Sequence, residues 1–365
     1  MSAAYARRRE ALRDQVRERG LDALLVVDLL NIRYLTGFTG SNAALVVHAA
    51  GEERSVFCTD GRYLTQAAAQ VPELERLIDR NSAAALVARL AKDPGQHRRT
   101  GYESHHVTVE ALDGLADAGA GIELVRAPGM VETLRVVKDD FEIEALRMAC
   151  AAADRALADL LENGGLRPGR TEREVARDLE DRMLANGADK PSFETIVATG
   201  VHSAIPHHRP TDAVLHSGDF VKMDFGALVD GYHSDMTRTV VLGKPAAWQH
   251  EIYELVAASQ AAGRAALAPG ADVKDIDAAF RDVIERAGRG EEFLHGLGHG
   301  VGLQIHEAPS LSKLGEGTLS AGMAVTVEPG VYLAGQGGVR IEDTLVVREA
   351  GPELLTLTTK QLLVV

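Results

Sequence analysis

The chain has 365 residues, of which 45% are hydrophobic and 25% charged, and its formal net charge is −14. This composition is ordinary for a soluble globular protein, and the length allows one large core or, as the patterns below favour, two domains. An acidic balance without a basic patch argues against nucleic acid or an anionic membrane surface as a partner. No apolar run approaches the roughly 20 residues that cross a bilayer, so we expect no membrane partner.

The first residues and the two cysteines favour a reducing compartment. MSAAYARRREALRDQ at 1–15 is charged and helical, and it does not have the apolar centre of a secretory signal. Cys58 and Cys150 fall one in each expected domain, which makes a disulfide framework implausible. We therefore expect a cytoplasmic protein in which both cysteines act as small buried apolar residues.

Residues 1–128 alternate short β-rich runs with helical stretches, which predicts a small α/β domain. The strand-like runs are LLVV at 24–27, AALVVH at 43–48, SVFC at 55–58, TGYE beginning at 100 and IELV at 122–125. Asp93-Pro94-Gly95 marks a turn. His105 and His106 stand side by side, and we interpret them as an exposed loop pair rather than a site. APGM at 127–130 is the expected linker, so the domain boundary is predicted after residue 128.

The second predicted domain, 129–365, opens with a long helix and contains an internal repeat. Apolar residues recur in steps of three and four from 143 to 160, which predicts one amphipathic helix over 138–161. The segment 167–187 recurs 101 residues later, each copy with a Pro-Gly turn, an N-cap residue, helical apolar spacing and a final glycine. The repeat predicts two related halves.

Asp224 and Asp235 lie in a predicted β-hairpin. VKMDFGALVDGYHSDMTRTVV at 221–241 combines an apolar strand, the turn Asp230-Gly231 and a returning strand. A two-residue turn places Asp224 diagonal to Asp235 on one sheet face, roughly 7 Å apart at the backbone. Carboxylates that converge from this distance can share metal ions spaced about 3.5–4 Å, although two acids on a hairpin can also be merely solvated.

Further candidate ligands occur in glycine-rich or strand-like segments. GLGHGVGLQIHEAP contains His299 and His306, TVEPGVY contains Glu328, and VRIEDTLVV contains Glu342. A carboxylate inside an apolar strand is costly to bury unless a positive group meets it, so each glutamate is a metal ligand or half of an ion pair. Four carboxylates with one imidazole suit Mn²⁺ better than structural Zn²⁺.

The ordered series of Asp, Asp, His, Glu and Glu resembles the dinuclear ligand set of the creatinase/prolidase-like metallopeptidases of family M24, which act on Xaa-Pro bonds. The matching residues are Asp224, Asp235, His299, Glu328 and Glu342. The similarity extends over almost the whole chain, including NIRYLTGFTGSNA and TDGRYL near its start. It implies a creatinase-type α/β N-terminal domain followed by an α+β pita-bread catalytic domain with a pseudo-two-fold repeat and metals between its halves.

The resemblance also implies the cofactors, the assembly and the substrate-facing residues. We expect two divalent ions, most readily Mn²⁺ with Co²⁺, Zn²⁺ or Fe²⁺ as alternatives, and a homodimer. Glu328 would be both ligand and general base, and His207, His295 and His306 would surround the scissile bond. His208 competes with His207 for its role, and His295 could instead satisfy a backbone carbonyl.

Two further questions stay open at this level. Arg340 either orients a ligand or pairs with Asp343. The resemblance implies that the substrates are peptides with proline in the second position. We favour an Xaa-Pro aminopeptidase because Ser310 stands where closely similar prolidases place an arginine in HExPR. An Xaa-Pro dipeptidase (prolidase) is the alternative.

Other classes of protein fit the sequence less well. A non-catalytic peptide-binding module of the same fold is the alternative outside enzymes, and the five intact ligands count against it. The chain has no Gly-x-Ser-x-Gly elbow and no Walker phosphate loop. A methionine aminopeptidase is disfavoured by the extra N-terminal domain, and creatinase itself is disfavoured because it is metal-free.

Overall fold

The structure, a computed structural model, describes residues 2–93 and 95–365. Its contacts divide the chain into a first unit that ends at Arg135 and a second unit that begins at Val136. A boundary after residue 128 stays a prediction, and the predicted turn at Asp93-Pro94-Gly95 includes Pro94, which lies outside the described residues. Across those two ranges no helix is long and apolar enough to cross a bilayer.

The first unit has six helices and six strands within the described residues. The helices are α1 (Ser2–Glu18), α2 (Leu29–Thr36), α3 (Leu64–Gln70), α4 (Ser82–Leu90), α5 (Val109–Ala118) and α6 (Met130–Arg135). The strands are β1 (Ala23–Val26), β2 (Ala43–His48), β3 (Val56–Thr59), β4 (Glu75–Ile78), β5 (Arg99–Tyr102) and β6 (Glu123–Arg126). They form one sheet in the order β4-β3-β2-β1-β5-β6, in which β2 runs antiparallel to both its neighbours. This confirms the predicted α/β domain.

Buried side chains hold this first unit together. Cys58 is a free thiol in its apolar core, as predicted. Glu103, which is 2% exposed, accepts hydrogen bonds from the backbone N–H groups of Val27 (2.6 Å) and Asp28 (2.8 Å) and from the side chain of Asn31 (2.6 Å). These bonds join the end of β5 to the connection between β1 and α2 and satisfy a carboxylate that would otherwise be costly to bury.

The second unit contains four long helices and thirteen strands among the described residues. The helices are α7 (Asp140–Glu162), α8 (Glu172–Ala185), α9 (Ala247–Ala265) and α10 (Val273–Arg286). The strands of its first half are β7 (Lys190–Pro191), β8 (Ile196–Thr199), β9 (Phe220–Phe225), β10 (Ala227–Val229), β11 (Tyr232–His233) and β12 (Met236–Val241). Those of its second half are β13 (Gly298–Gly300), β14 (Glu307–Leu311), β15 (Ala324–Val327), β16 (Gly330–Leu333), β17 (Gly337–Arg340), β18 (Asp343–Val346) and β19 (Glu353–Leu354).

The two halves of the second unit repeat one arrangement. In the first half α7 and α8 pack on an antiparallel sheet ordered β8-β9-β12, and in the second half α9 and α10 pack on a sheet that contains β13-β15-β18 in the same antiparallel order. A separate apolar core lies between helices and sheet in each half. The predicted entry helix and the predicted internal repeat are confirmed.

The repeat is built by the local signals that revealed it. Thr171 caps α8, and its side chain and that of Glu174 form a reciprocal capping box. Asp272 caps α10 by accepting a hydrogen bond from the backbone of Lys274. Each helix is followed by a glycine with positive φ, at which a side chain would be strained. Local capping therefore sets the length of both helices.

The predicted hairpin has the expected register. Asp230 and Gly231 both adopt positive φ, 48° and 75°, as a type I′ turn requires. Asp224 pairs directly with Thr237 across β9 and β12. Asp235 precedes Thr237 by two residues, so it is the diagonal neighbour of Asp224 on the same face. The hairpin thus brings the two carboxylates together from adjacent strands.

Candidate metal centre

Five acidic and imidazole side chains from both halves of the second unit line one cavity of about 330 Å³. Their positions are Asp224 on β9, Asp235 between β11 and β12, His299 on β13, Glu328 directly after β15 and Glu342 between β17 and β18. The structure therefore brings together every metal ligand expected from the sequence. Each of the two halves contributes at least two of them.

The ligand atoms approach closely enough to share ions. Potential ligand atoms of Asp235, His299 and Glu342 all lie within 4.8 Å of one another. His299 Nε2 is 3.5 Å from a carboxylate oxygen of Asp235 and 3.7 Å from one of Glu328. The other ring nitrogen, Nδ1, is 3.0 Å from the carbonyl oxygen of Gly300 and donates to it. That bond leaves the Nε2 lone pair directed at the carboxylates, which is how metal-binding histidines are oriented.

Arg340 is connected to two of the candidate ligands by buried hydrogen bonds. Its guanidinium donates to Asp224 Oδ2, to the Tyr332 hydroxyl at 3.0 Å and to Thr237 Oγ1 at 2.9 Å. The Thr237 hydroxyl in turn donates to Glu342 Oε2 at 2.6 Å. One buried cation therefore fixes two carboxylates, the first directly and the second through a hydroxyl.

The other role considered for Arg340, an ion pair with Asp343, is filled by a different arginine. Asp343 lies 2.7 Å from the guanidinium of Arg238. It also accepts a hydrogen bond from Gln260 at 2.7 Å and lies 3.1 Å from the ammonium of Lys360. Asp343 is therefore already paired, and the guanidinium of Arg340 contacts Asp224 instead.

The residues present fit divalent cations. Asp224 Oδ1 is buried and has no hydrogen-bond partner among residues 2–93 and 95–365, a costly state unless the oxygen binds an ion. Burial, followed by the charges of Glu342, Asp224 and Glu328, raises the pKa of Asp235 well above its usual value. Burial and the charge of Asp224 raise the pKa of Glu342 to about 8. Bound cations would remove this repulsion and keep the carboxylates ionised.

A groove beside the cavity contains the other expected site residues. His207, His306 and Glu328 line both spaces, whereas Ser310 and Arg340 line only the groove. The imidazole of His207 is exposed and makes no hydrogen bond to any residue that the structure describes. Burial, followed by the nearby His207, lowers the pKa of His306. Both imidazoles therefore face the cavity and the groove at once.

His295 differs from the other expected catalytic histidines. Its Nδ1 is 2.8 Å from the carbonyl oxygen of Gly296, to which it donates, and its Nε2 accepts from the Tyr332 hydroxyl at 2.8 Å. Burial, followed by the charge of Arg340, lowers the pKa of His295 to about 3, so the ring is neutral. Both ring nitrogens of His295 therefore have partners inside the protein. Its bond to Tyr332 fixes the hydroxyl that also contacts Arg340.

His208, the rival of His207, also lines the cavity, but its imidazole is bound to another side chain. It is buried, and its Nε2 lies 2.8 Å from Glu172, which also contacts His202 at 2.9 Å. This cluster was not predicted from the sequence. An acid at the start of a helix is ordinarily explained by the helix dipole. The only other signal in the sequence was the group of histidines at 202, 207 and 208.

An oxygen-rich ligand set with one imidazole, beside further imidazoles that face an open groove, is the site of a metal-dependent hydrolase. The chain belongs to metallopeptidase family M24, whose model matches residues 144–349, and residues 8–137 match the Creatinase/Prolidase N-terminal domain. It is thus a two-domain metallopeptidase with a pita-bread catalytic domain.

Individual relatives are similar over nearly their full length. An Xaa-Pro dipeptidase of Pyrococcus furiosus is 34% identical over 95% of this chain and 96% of the relative. A solved Xaa-Pro dipeptidase from Bacillus anthracis is 38% identical, with a TM-score of 0.94 over 99% of this chain and 100% of that one. A solved X-Pro aminopeptidase from Thermotoga maritima is 32% identical, with a TM-score of 0.86 over 98% and 99% of the two chains.

Proposed function

We propose that this metallopeptidase is an Xaa-Pro dipeptidase that holds two divalent ions, most readily Mn²⁺, through Asp224, Asp235, His299, Glu328 and Glu342. The observation that carries the proposal is the convergence of these five side chains in one cavity, with a buried oxygen of Asp224 unpartnered among the described residues. Relatives named Xaa-Pro dipeptidase support the substrate class. They favour the dipeptidase over the aminopeptidase that the sequence analysis preferred.

Ions bound by these five residues would lower the pKa of a water molecule and polarise the carbonyl of the scissile bond. Glu328 lines both cavity and groove, so its carboxylate is placed to accept the proton of the attacking water and pass it to the leaving imide nitrogen. His207 and His306 face the same space. Each can donate a hydrogen bond to the oxyanion that develops on the carbonyl oxygen.

The remaining expected site residues hold this arrangement. Arg340 fixes Asp224 and, through Thr237, Glu342. His295 Nε2 accepts a hydrogen bond from the Tyr332 hydroxyl, and the oxygen of that hydroxyl accepts one from Arg340. We therefore assign Arg340 and His295 to positioning rather than to contact with the reacting bond.

An Xaa-Pro aminopeptidase remains the second candidate because of Ser310. This residue is exposed on β14 and lines the groove, and its hydroxyl contacts that of Ser312 at 3.1 Å. A neutral, short side chain at this position gives no charged clamp for the terminal carboxylate of a dipeptide. Longer peptides have no carboxylate at that point, so the absence of a charged clamp would not lower their kcat/KM.

The preferred length of the substrate can be tested by measuring kcat/KM for Ala-Pro and for Ala-Pro-Ala. A dipeptidase should favour Ala-Pro, and Ser310→Arg should raise that preference by about 10-fold or more, because a charge-assisted hydrogen bond contributes about 1.5–3 kcal/mol. Ser310→Gln, which adds length without charge, is the matched control. A strong preference of the wild type for Ala-Pro-Ala would reject the dipeptidase in favour of the aminopeptidase. The homodimer stays a prediction from the resemblance, and the cytoplasmic location stays a prediction from the first residues and the two cysteines.

A further inference from the structure

One buried carboxylate holds the segment that carries His207. Glu172, the first residue of α8, is 0% exposed. Its two oxygens accept five hydrogen bonds from residues 199–211, a segment that leaves β8 and passes through a 3₁₀ turn at Gly200–Ala204. The donors are Thr199 N (2.9 Å), His202 Nδ1 (2.9 Å), His208 Nε2 (2.8 Å), Thr211 N (2.9 Å) and Thr211 Oγ1 (2.7 Å).

The bonding pattern fixes the chemistry of this cluster. Burial alone opposes ionisation of Glu172, but the hydrogen bonds from Thr199, His208 and Thr211 outweigh it and lower the pKa below the usual value. An ionised carboxylate only accepts, so His202 donates from Nδ1 and His208 from Nε2. The two imidazoles stack on each other, with ring centroids 4.4 Å apart at an interplanar angle of 29°.

The same three side chains have ligand atoms within 4.8 Å of one another, as in a cation site. The carboxylate, however, already has hydrogen bonds on both oxygens, including the backbone N–H groups of Thr199 and Thr211. A cation could bind only by displacing donors that would then be buried without partners. The cluster is therefore better explained as an anchor of backbone than as a metal site.

The middle of the segment is held from the opposite side. Lys222 Nζ donates to the carbonyl oxygens of Ile205 (2.6 Å) and Pro206 (3.3 Å), and Arg340 Nη1 donates to that of Pro206 at 3.2 Å. His207 follows immediately, between these carbonyls and His208. Its backbone is thus fixed on both sides while its imidazole faces the cavity and the groove.

The internal repeat shows that the scaffold itself does not need this carboxylate. The residue 101 positions after Glu172 is Val273, which starts α10 and is buried in the apolar core of the second half. A valine is therefore compatible with the same helix start. What distinguishes the first half is the segment 199–211 and the histidine that it carries.

We propose that Glu172 is a positioning residue that, by anchoring residues 199–211, holds His207 against the reacting peptide bond. This inference rests on the proposed function, in which His207 stabilises the developing oxyanion. A misplacement of about 1 Å can lower a rate on the order of 10²-fold. Loss of the anchor should therefore remove a large part of the contribution that His207 makes to kcat.

The test is a double-mutant cycle on Ala-Pro hydrolysis with Glu172→Gln and His207→Ala. His207→Ala should lower kcat by about 10²-fold, the scale for loss of one oxyanion donor, with metal content unchanged. Glu172→Gln, which places an amide NH₂ against N–H donors, should lower kcat about 10- to 100-fold with KM within about threefold. In the His207→Ala background, Glu172→Gln should change kcat less than about twofold.

A second readout does not depend on catalysis. Hydrogen exchange of the amides in 199–211 should accelerate in Glu172→Gln. Glu103→Gln is the matched control, since it alters a buried carboxylate with backbone donors in the first unit, and it should lower Tm without changing kcat. If Glu172→Gln does not fold, the half-exposed His202 replaces it. His202→Ala should reproduce part of the kcat loss, and His202→Asn, whose amide can donate like Nδ1, should restore it.

The outcomes separate the two ideas. A wild type that does not cleave Xaa-Pro peptides overturns the proposed function, while the exchange data still test the anchor. Additive losses in the cycle, unchanged exchange in 199–211, or loss of metal from Glu172→Gln would each overturn the positioning role. Non-additive losses with faster exchange and full metal content would support it.

Discussion

The first and second halves of the catalytic unit have the same scaffold and carry different chemistry on it. In each half, two helices cover a sheet with three antiparallel strands in the same order. The first half supplies two carboxylates from one hairpin and the anchored segment with His207. The second half supplies the imidazole and two further carboxylates. The repeat explains why ligands converge between the halves, and the departures from it explain what each half does there.

Polar contacts also couple the halves. Asp224 of the first half is held by Arg340 of the second, and Glu342 of the second is held by Thr237 of the first. Neither half therefore contains and orients all five candidate ligands by itself. We expect substitutions in either half to impair the same site.

The strongest test of shared ligation removes one ligand from each half. Asp235→Ala and His299→Ala should each lower kcat/KM for Ala-Pro by about 10³-fold or more. Loss of one hydrogen-bond donor to the transition state lowers kcat roughly 10²–10³-fold, and loss of an ion removes more transition-state stabilisation than that. Activity assays with and without added Mn²⁺ measure this. Asp230→Asn, at the exposed turn of the same hairpin, should remain fully active. Near-normal turnover by either alanine variant would mean that the half in which that residue lies is dispensable for the metal site.

The next test addresses the contact between halves. Arg340→Lys keeps the positive charge but loses the geometry that bonds Asp224, Tyr332 and Thr237 at once. Metal affinity should weaken about 10- to 100-fold, as is typical for loss of a group that orients ligands. Titration of the metal-free protein with Mn²⁺ measures this. Arg348→Lys, in a surface pair with Glu353, is the control, and equal affinities in the two variants would refute the orienting role.

A smaller effect is expected in the stability of the metal-free protein. The pKa of Glu342 lies at about 8 in the folded chain against an ordinary value of 4.5. Because the folded state retains the proton longer, the contribution of this group to stability is complete below pH 4.5 and is lost as the pH rises toward about 8. The Tm of the metal-free wild type should therefore fall over this range more steeply than that of Glu342→Gln. If Tm fell equally steeply with pH in the two proteins, Glu342 would not experience the burial and the repulsion by Asp224 that raise its pKa.

The parts of the fold that were predictable from sequence rest on local signals. The register of Asp224 and Asp235 follows from the turn at Asp230-Gly231, and the helix starts of the repeat follow from their caps. Strand β4, Glu75–Ile78, was not predicted because two of its four residues are charged and its side chains are mostly exposed. An edge strand of this kind lacks the alternating apolar pattern.

The parts of the site that could not be predicted depend on contacts between distant residues. Glu172 meets partners 27 to 39 residues away, so no spacing in the sequence marks it as an anchor. The resemblance places His295 with His207 and His306 around the scissile bond, with a hydrogen bond to a backbone carbonyl as the alternative. Only the structure shows that its Nε2 is used by Tyr332, 37 residues further along the chain.

The most direct test of a dinuclear centre shared between the halves is the number of ions per chain. Elemental analysis of protein reconstituted with Mn²⁺ and freed of excess metal should give two ions per chain in the wild type and fewer in both Asp235→Ala and His299→Ala. Two ions that persist in either variant, or a wild type that holds at most one, would contradict the account.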